Sequence, residues 1–277
     1  MQDLSDTVVA ITGANIGIGR AVAEALARRG AKLRLLCRNP DKAEAVAGEL
    51  RAHTEVVTIA CDLGRLASVR AAAQVLLARD EPLHVLVNNA GVAGQRGQTS
   101  DGFELAFGTN HLGHFLLTQL LLDRLRASAP ARIVHVASNN HYRARGIDWE
   151  AVTRPTSSVS GLPEYDVSKL ANVTFAVELA RRLTGTGVTS YAVNPGRVAS
   201  NIWQRIPWPV RPLFKLTMRS TARGAESTLL AATGTVENGG YYDQDAKRRA
   251  PNPLANDLVL ARELWQHSEA LLERAPA

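Results

Sequence analysis

Apolar residues recur along the chain in short, almost unbroken β-branched runs: Val8 to Ile11, Leu33 to Cys37, Val56 to Cys61, Val85 to Val87, Ile133 to Ala137 and Val188 to Val193. Longer stretches of helical period separate them, which is the rhythm of βαβ units. Strands that are apolar on both faces must be covered on both faces. The pattern therefore predicts an α/β fold, a doubly wound, mostly parallel sheet flanked by helices. The first helix begins near Gly17, places Val22, Ala25 and Leu26 on one stripe and ends by Gly30; the second has Asn39 as its cap and Pro40 in its first turn. Phe103 to Leu125 reads as one long helix. Pro163 to Leu183 reads as another, with Leu170, Val173, Val177 and Ala180 on its buried face. Two stretches break the rhythm, Asn139 to Leu162 and Trp203 to Arg219. Irregular segments of that length in a compact fold usually serve function or motion.

Composition narrows the class. A chain of 277 residues, 45% hydrophobic and 21% charged, can bury a sizeable core, and no linker or repeat divides it, so residues 1–277 are expected to form a single domain. The formal charge of +6 comes from scattered arginines whose densest run is Lys247-Arg248-Arg249, which fits a solvated basic surface and gives no nucleic-acid site. Cys37 and Cys61, the only cysteines, lie in apolar runs and offer neither a disulfide framework nor a metal-ligand spacing. No metal is expected. A reducing setting, no transmembrane segment and no signal peptide together predict a soluble, cytoplasmic protein.

The candidate chemistry gathers where these strands end. Thr12-Gly13-Ala14-Asn15-Ile16-Gly17-Ile18-Gly19 follows the first strand and opens the first helix, so its glycines allow a tight turn and close approach of a phosphate to the helix N-terminus. Glycines alone also serve any tight strand-to-helix turn, and the spacing here is GxxxGxG rather than GxGxxG. After the second strand, where an NAD site wants a carboxylate for the ribose 2′-hydroxyl, stand Cys37 and Arg38. An arginine suits a 2′-phosphate instead, which favours NADP(H) over NAD(H). Asp62-Leu63 ends the third strand and Asn88-Asn89-Ala90-Gly91 the fourth, at the ligand-binding edge of such a sheet; Asn88 serves structural support as well as it would a ligand. Tyr165 and Lys169, four apart on a helix, share a face. An ammonium there would stabilise the phenolate and bring Tyr165 toward neutrality for proton transfer. Ser138 ends the fifth strand, placed to bind a substrate oxygen.

Taken in order, Thr12-Gly13xxxGly17-Ile18-Gly19, Asn88-Asn89-Ala90-Gly91, Ser138, Tyr165xxxLys169 and Asn194-Pro195-Gly196 resemble the short-chain dehydrogenase/reductase family over nearly the whole chain. Cys37-Arg38-Asn39-Pro40, Asn110-His111-Leu112-Gly113-His114-Phe115 and Leu264-Trp265 resemble its retinol-dehydrogenase-like branch. The resemblance implies a Rossmann-type domain and a catalytic set of Asn110, Ser138, Tyr165 and Lys169. Tyr165 would protonate the carbonyl oxygen as hydride arrives, Ser138 would hydrogen-bond that oxygen, Lys169 would also hold the nicotinamide ribose, and Asn110 would hold a water leading to solvent. It implies cofactor contacts at Gly13, Asn15, Gly17, Ile18, Gly19, Arg38, Asp62, Leu63, Asn89, Ala90, Gly91, Tyr165, Lys169, Pro195, Gly196, Val198 and Ser200, the last where threonine is more usual. His111 and His114, three apart, are assigned packing as readily as chemistry. The long Ser138-to-Tyr165 spacing marks an insertion at 139–162. Retinoid-type members often carry an N-terminal membrane anchor, and the lack of one here leaves a retinoid substrate unimplied.

A substrate lid is expected at 200–220, where Trp203, Ile206, Trp208, Val210, Leu213, Phe214, Leu216 and Met218 are accompanied by no carboxylate. These side chains suit a pocket for a lipophilic or aromatic ketone or aldehyde; a packed lid or subunit contact, and a membrane touch aided by Arg205 and Arg211, are the other readings. A homodimer or homotetramer is left open. The functional expectation is an NADP(H)-dependent oxidoreductase interconverting such a carbonyl and its alcohol. The alternatives are a non-catalytic NADP(H)-binding regulator on the same fold and a sugar-nucleotide epimerase or dehydratase. The joint presence of Ser138, Tyr165 and Lys169 argues against the first, and the short stretch after Val193 against the second.

Overall fold

A computed structural model of the chain describes residues 3–196, 198 and 219–275. Eight strands form one sheet in the order β3-β2-β1-β4-β5-β6-β7-β8. They are β1 (Val8–Thr12), β2 (Lys32–Cys37), β3 (Val56–Ala60), β4 (Val85–Asn88), β5 (Ala131–Val136), β6 (Val188–Val193), β7 (Tyr241–Tyr242) and β8 (Arg248–Arg249). All neighbours pair in parallel except β7 and β8, which form an antiparallel edge. The expected α/β class and doubly wound Rossmann-type sheet are what is found. The order reverses between β1 and β4, so the crevice where ligands bind in such sheets opens beyond the ends of those two strands.

Burial explains the strands: all five residues of β1 and the last five of β2 are buried. Helices α1 (Gly17–Ala27), α2 (Pro40–Leu50) and α7 (Thr221–Thr233) cover one face; α3 (Leu66–Leu77), α5 (Gly113–Ala127), α6 (Leu162–Arg182) and α8 (Leu258–Arg274) cover the other. Local chemistry sets their ends. Asn39 caps α2 by accepting from the Lys42 N–H at 2.9 Å, with Pro40 and Asp41 in the first turn. Asp257 likewise caps α8, accepting from Val259 and Leu260.

Two sequence expectations are corrected here. The helix predicted over Phe103 to Leu125 is three pieces, a short α4 (Leu105–Phe107), a π turn over Gly108–Leu112 and then α5. An extra residue within one turn leaves the apolar spacing almost intact, so the pattern conceals it. On α6, Glu178 rather than Val177 faces inward: Glu178 is 2% exposed and is held by Arg181 at 2.7 Å and Arg182 at 2.6 Å, while Arg182 lies 3.8 Å from the Trp265 ring. Opposite charges let the carboxylate replace an apolar side chain at that position.

The 139–162 segment now has a place. It holds two 3-10 turns, Asn139–Arg143 and Ala151–Thr153, and is tied down on both sides. Trp149 stacks on His267 of α8 at 4.2 Å, the Val152 carbonyl accepts from Glu104, and Thr156 bonds Gly97 and Glu104. Of the lid expected at 200–220, Ser200 and Trp203 to Met218 lie outside the described residues, as do Arg205 and Arg211.

Candidate active site

Thr12, the last residue of β1, organises the centre of the crevice. Its Oγ1 accepts the N–H groups of Asn89 (2.9 Å) and Ala90 (3.0 Å) and contacts His114 Nε2 (2.9 Å). His114 Nδ1 sits 2.9 Å from the Asn110 carbonyl oxygen, which can only accept, so the proton is on Nδ1 and Nε2 accepts from Thr12. Burial drives the His114 pKa down to about 3, and this neutral form suits both bonds. The Asn89 amide donates to the Thr12 carbonyl at 2.8 Å. A Cβ on Gly19 would lie 2.4 Å from both the Asn89 amide nitrogen and the Gly13 carbonyl oxygen, so only glycine permits this closure. Gly13 and Gly17 make the turn with φ of +68° and +62°, conformations that glycine adopts freely.

The turn delivers α1 with an N-terminus free of competing acceptors: Ile16 supplies no side-chain cap and the first turn holds no carboxylate. Those N–H groups and the helix dipole suit a phosphate. At the end of β2, Arg38 is exposed and has no hydrogen-bond or ion-pair partner among the described residues. Cys37 beside it is buried, and its thiol is approached by the backbone N–H groups of Ala14, Asn15 and Gly13, although burial pushes the thiol up. Asp62 uses one carboxylate oxygen to accept the Gly64 N–H at 3.0 Å, while the Leu63 side chain is in the core against Gly113. Asn88 is structural: it is buried and donates to Thr118 at 2.9 Å.

Next to this cradle, the proposed reacting groups converge. Tyr165 and Lys169 are both buried, with Lys169 Nζ 5.6 Å from the Tyr165 ring centre and donating to the Val136 carbonyl at 2.8 Å. Gly91 borders Lys169 and Asn110; a Cβ there would fall 2.9 Å from Asn110 Oδ1 and 3.7 Å from Lys169 Nζ. Asn110, in the π turn, accepts from Val92 N at 2.8 Å and donates to Val92 O and Ser168 Oγ, both at 2.9 Å. Its side chain thus pins the segment following Gly91 to α6. The Ser138 hydroxyl lies beside Tyr165, where it favours the ionised phenol, and it donates to Asn140 Oδ1 at 3.3 Å and accepts from Asn140 N at 3.2 Å.

The electrostatics differ from the sequence expectation. Burial pushes Tyr165 up to about 12, against the effect of the Ser138 hydroxyl, and takes Lys169 down to about 7. The expected fall of Tyr165 toward neutrality is therefore absent in the protein alone. Desolvation acts on both charged forms, and it outweighs what a lysine 5.6 Å from the ring contributes.

After β6, Asn194 Oδ1 accepts from Gly196 N at 3.0 Å, and Gly196 (φ +78°) abuts Gln244. Val198 is buried against Gly224 of α7, which also borders Ile18. Fold thus brings Gly13, Gly19, Asn89 and Ala90 around Thr12; Gly91, Asn110 and Lys169 together; Ser138 against Tyr165; and Val198 beside Ile18. Arg38 and Asp62 stand apart, at the ends of neighbouring strands. Sequence reasoning missed His114 as the link between Thr12 and Asn110, although its spacing of four from Asn110 was a usable signal. It also missed His141, treated below.

A glycine turn on an uncapped helix, a basic residue after β2 and a half-buried serine beside a buried tyrosine and lysine form a site whose residues fit a nicotinamide dinucleotide. A family model described as "short chain dehydrogenase" matches residues 7–208. The chain belongs to the short-chain dehydrogenase family. Within that family, retinol dehydrogenase 12 of Mus musculus is 44% identical over 96% of this chain and 86% of its own. Retinol dehydrogenase 11 of Homo sapiens is 42% identical over 97% of this chain and 86% of its own. The solved structure of an uncharacterized protein from Mycobacterium Paratuberculosis superposes with a TM-score of 0.78 at 34% identity, covering 100% of this chain and 97% of that one. These relatives bear out the retinol-dehydrogenase-like resemblance. As a short-chain dehydrogenase, the chain is an NAD(P)-dependent oxidoreductase acting on CH–OH or C=O groups, and the reading as a non-catalytic regulator falls away. Among the described residues, no helix is long and apolar enough to cross a membrane.

Proposed function

We propose that this short-chain dehydrogenase prefers NADP(H) and interconverts a lipophilic or aromatic aldehyde or ketone with its alcohol, with Tyr165 carrying the proton. The convergence of half-buried Ser138 with buried Tyr165 and Lys169 carries the reading. The bound nicotinamide supplies hydride to the carbonyl carbon or takes it from the alcohol carbon. In the reducing direction Ser138 Oγ–H holds the carbonyl oxygen, Tyr165 Oη gives it a proton, and Lys169 Nζ stabilises the phenolate left behind. A tyrosine pushed up to about 12 is fully protonated at neutrality, which suits it to that donation. Asn110 keeps the Val92 backbone and α6 in fixed relation while this happens; a water on it leading outward is part of the same proposal.

Gly13, Asn15, Gly17, Ile18 and Gly19 would hold the pyrophosphate side, Asp62 and Leu63 the adenine, Asn89, Ala90 and Gly91 the central span, and Tyr165, Lys169, Pro195, Gly196, Val198 and Ser200 the nicotinamide end. Preference for NADP(H) rests on Arg38, an exposed guanidinium free to pair with a 2′-phosphate where a carboxylate would repel it. Two observations support an apolar substrate: the relatives are retinol dehydrogenases by name, and the 203–218 segment is apolar and free of carboxylates. We read the whole chain as one domain with its lid at 200–220. The buried free thiols of Cys37 and Cys61 support a reducing, cytoplasmic setting.

The test is consumption of NADPH and NADH by the wild type and Arg38→Ala over apolar and polar carbonyls. The wild type is expected to reduce apolar aldehydes or ketones with NADPH. Loss of a charge-assisted hydrogen bond, about 1.5–3 kcal/mol, should weaken NADPH by roughly 10- to 100-fold and NADH far less. Equal weakening of both would remove the phosphate contact, and no turnover with any carbonyl or alcohol would overturn the reading.

A further inference from the structure

Ser138 is followed three residues later by a histidine that no catalytic role absorbs, and the structure gives this residue an unusual set of partners. His141 is fully buried. Its Nδ1 lies 2.7 Å from the Ser138 carbonyl oxygen and its Nε2 lies 3.1 Å from the backbone nitrogen of Asn252, more than one hundred residues away in the chain. A carbonyl only accepts and a backbone N–H only donates, so the imidazole is neutral with its proton on Nδ1. Burial, opposed by the Ser138 carbonyl, keeps it below its ordinary value and so in that state. The Asn252 amide nitrogen closes the loop, donating to the carbonyls of His141 (2.9 Å) and Ala144 (3.0 Å). Ring contacts with Tyr142 at 3.9 Å and Tyr241 at 4.7 Å fix the imidazole plane.

Ser138 is therefore gripped by its backbone. Its carbonyl accepts both the His141 N–H (3.1 Å) and the His141 ring N–H. The next residue, Asn139, is held at its side-chain oxygen by Asn194 Nδ2 (2.8 Å) and Tyr241 Oη (2.9 Å). Its hydroxyl, the group beside Tyr165, is bonded to Asn140 two residues on, so its position follows the backbone of this clamped turn. A wobble of the Ser138 backbone would move that hydroxyl relative to the reacting oxygen, and turnover is sensitive to displacements below 1 Å.

We infer that His141 is a positioning residue that fixes Ser138 by clamping its carbonyl to the segment around Asn252, so that this segment, distant in sequence, sets the geometry of proton transfer. The inference rests on the reading of Ser138 as a catalytic group. His141 touches neither the reacting atoms nor the cradle around Thr12, so its loss should fall on kcat and leave NADPH affinity alone.

Two substitutions separate its two bonds. An asparagine places an amide N–H near the position of Nδ1, and a glutamine places an amide oxygen near that of Nε2. With the purified full chain, kcat and KM for an apolar aldehyde, NADPH affinity by fluorescence and thermal unfolding are measured for Ser138→Ala, His141→Asn, His141→Gln and Asn252→Ala. His141→Gln should lower kcat by roughly 10- to 100-fold with NADPH affinity unchanged. His141→Asn, which keeps the donor to Ser138, should recover most of that loss even where the two variants unfold at the same temperature. Equal kcat in both variants, or losses mirrored in NADPH affinity, would overturn the inference. Should both fail to fold, Asn252→Ala leaves the imidazole in place while removing the amide clamp; it should lower kcat with NADPH affinity intact, and an unchanged kcat would overturn the inference. Ser138→Ala is the control on the underlying reading: full activity there would remove the role of Ser138 itself, whereas lost activity there beside wild-type kcat in the His141 variants would defeat the clamp alone.

Discussion

The sheet buries a cation at each end, and the two are treated in opposite ways. Arg34, near the start of β2, is completely buried and surrounded by acceptors: its Nε donates to Glu81 at 2.6 Å, its Nη2 meets Glu55 at 2.8 Å and the second Glu81 oxygen, and its Nη1 donates to the Leu33 carbonyl at 3.1 Å. Burial works against its charge, yet the two carboxylates outweigh that and raise its pKa. Lys169, beyond the end of β5, has one carbonyl for its ammonium and no carboxylate partner among the described residues, and burial alone brings it down to about 7. A buried charge with full pairing holds structure together, while one left short of partners is costly and is kept where the chemistry needs a charge that can come and go. Arg38 is a third case, exposed and without a partner among the described residues, with its partner expected from outside the chain.

Exchanging the roles of the buried pair tests this contrast. Lys169→Met should lower turnover by roughly a thousandfold, within the range lost when a proton-transfer system is disabled. Assays of kcat beside unfolding curves would decide it, since a variant that lost activity by unfolding would show both changes together. Arg34→Met should do the reverse. It takes one of two cations from Glu81 and Glu55, which keep Arg79 at 2.8 Å and 3.1 Å and both reach water, so the cost should be about 2–3 kcal/mol of stability, below the full penalty of a stranded charge, with turnover per folded molecule preserved. Denaturant melts measure the first quantity, and a variant as stable as the wild type would erase the contrast.

A third effect carries the sign of the Lys169 shift. Its folded pKa is depressed, so between about 7 and the free-lysine value of about 10.4 the unfolded chain holds the extra proton, and stability rises with pH across that window. Below it the penalty is fully present. Lys169→Met should therefore gain most in melting temperature over the wild type near pH 6 and progressively less toward pH 10. A difference independent of pH would mean that the lysine is not depressed in the folded state.

Much of this was legible from the chain. The six long strands were, because continuous apolar runs have few other uses, and so was the cap of α2. The glycine turn, Arg38 and the Tyr165–Lys169 spacing were legible too, because each follows from local backbone geometry. Strands β7 and β8 were not: two residues give no period, and Arg248 and Arg249 read as surface charge before their pairing with Glu237 and Asp243 is seen. The links that fix the site were least legible. Thr12 to His114 to Asn110, and Ser138 to His141 to Asn252, join residues whose proximity is made by strand order and not by sequence spacing. Nor could spacing show that burial would hold Tyr165 up rather than bring it down, since desolvation depends on the finished packing.

The central claim is that Tyr165 moves the proton while most of the cofactor cradle is built by other residues. Tyr165→Phe removes one oxygen from a buried ring and tests it directly, with NADPH affinity and turnover of an apolar aldehyde measured on the same sample. The account predicts nearly unchanged NADPH binding with turnover reduced by roughly 10²- to 10⁴-fold. Turnover close to that of the wild type, with binding intact, would contradict it.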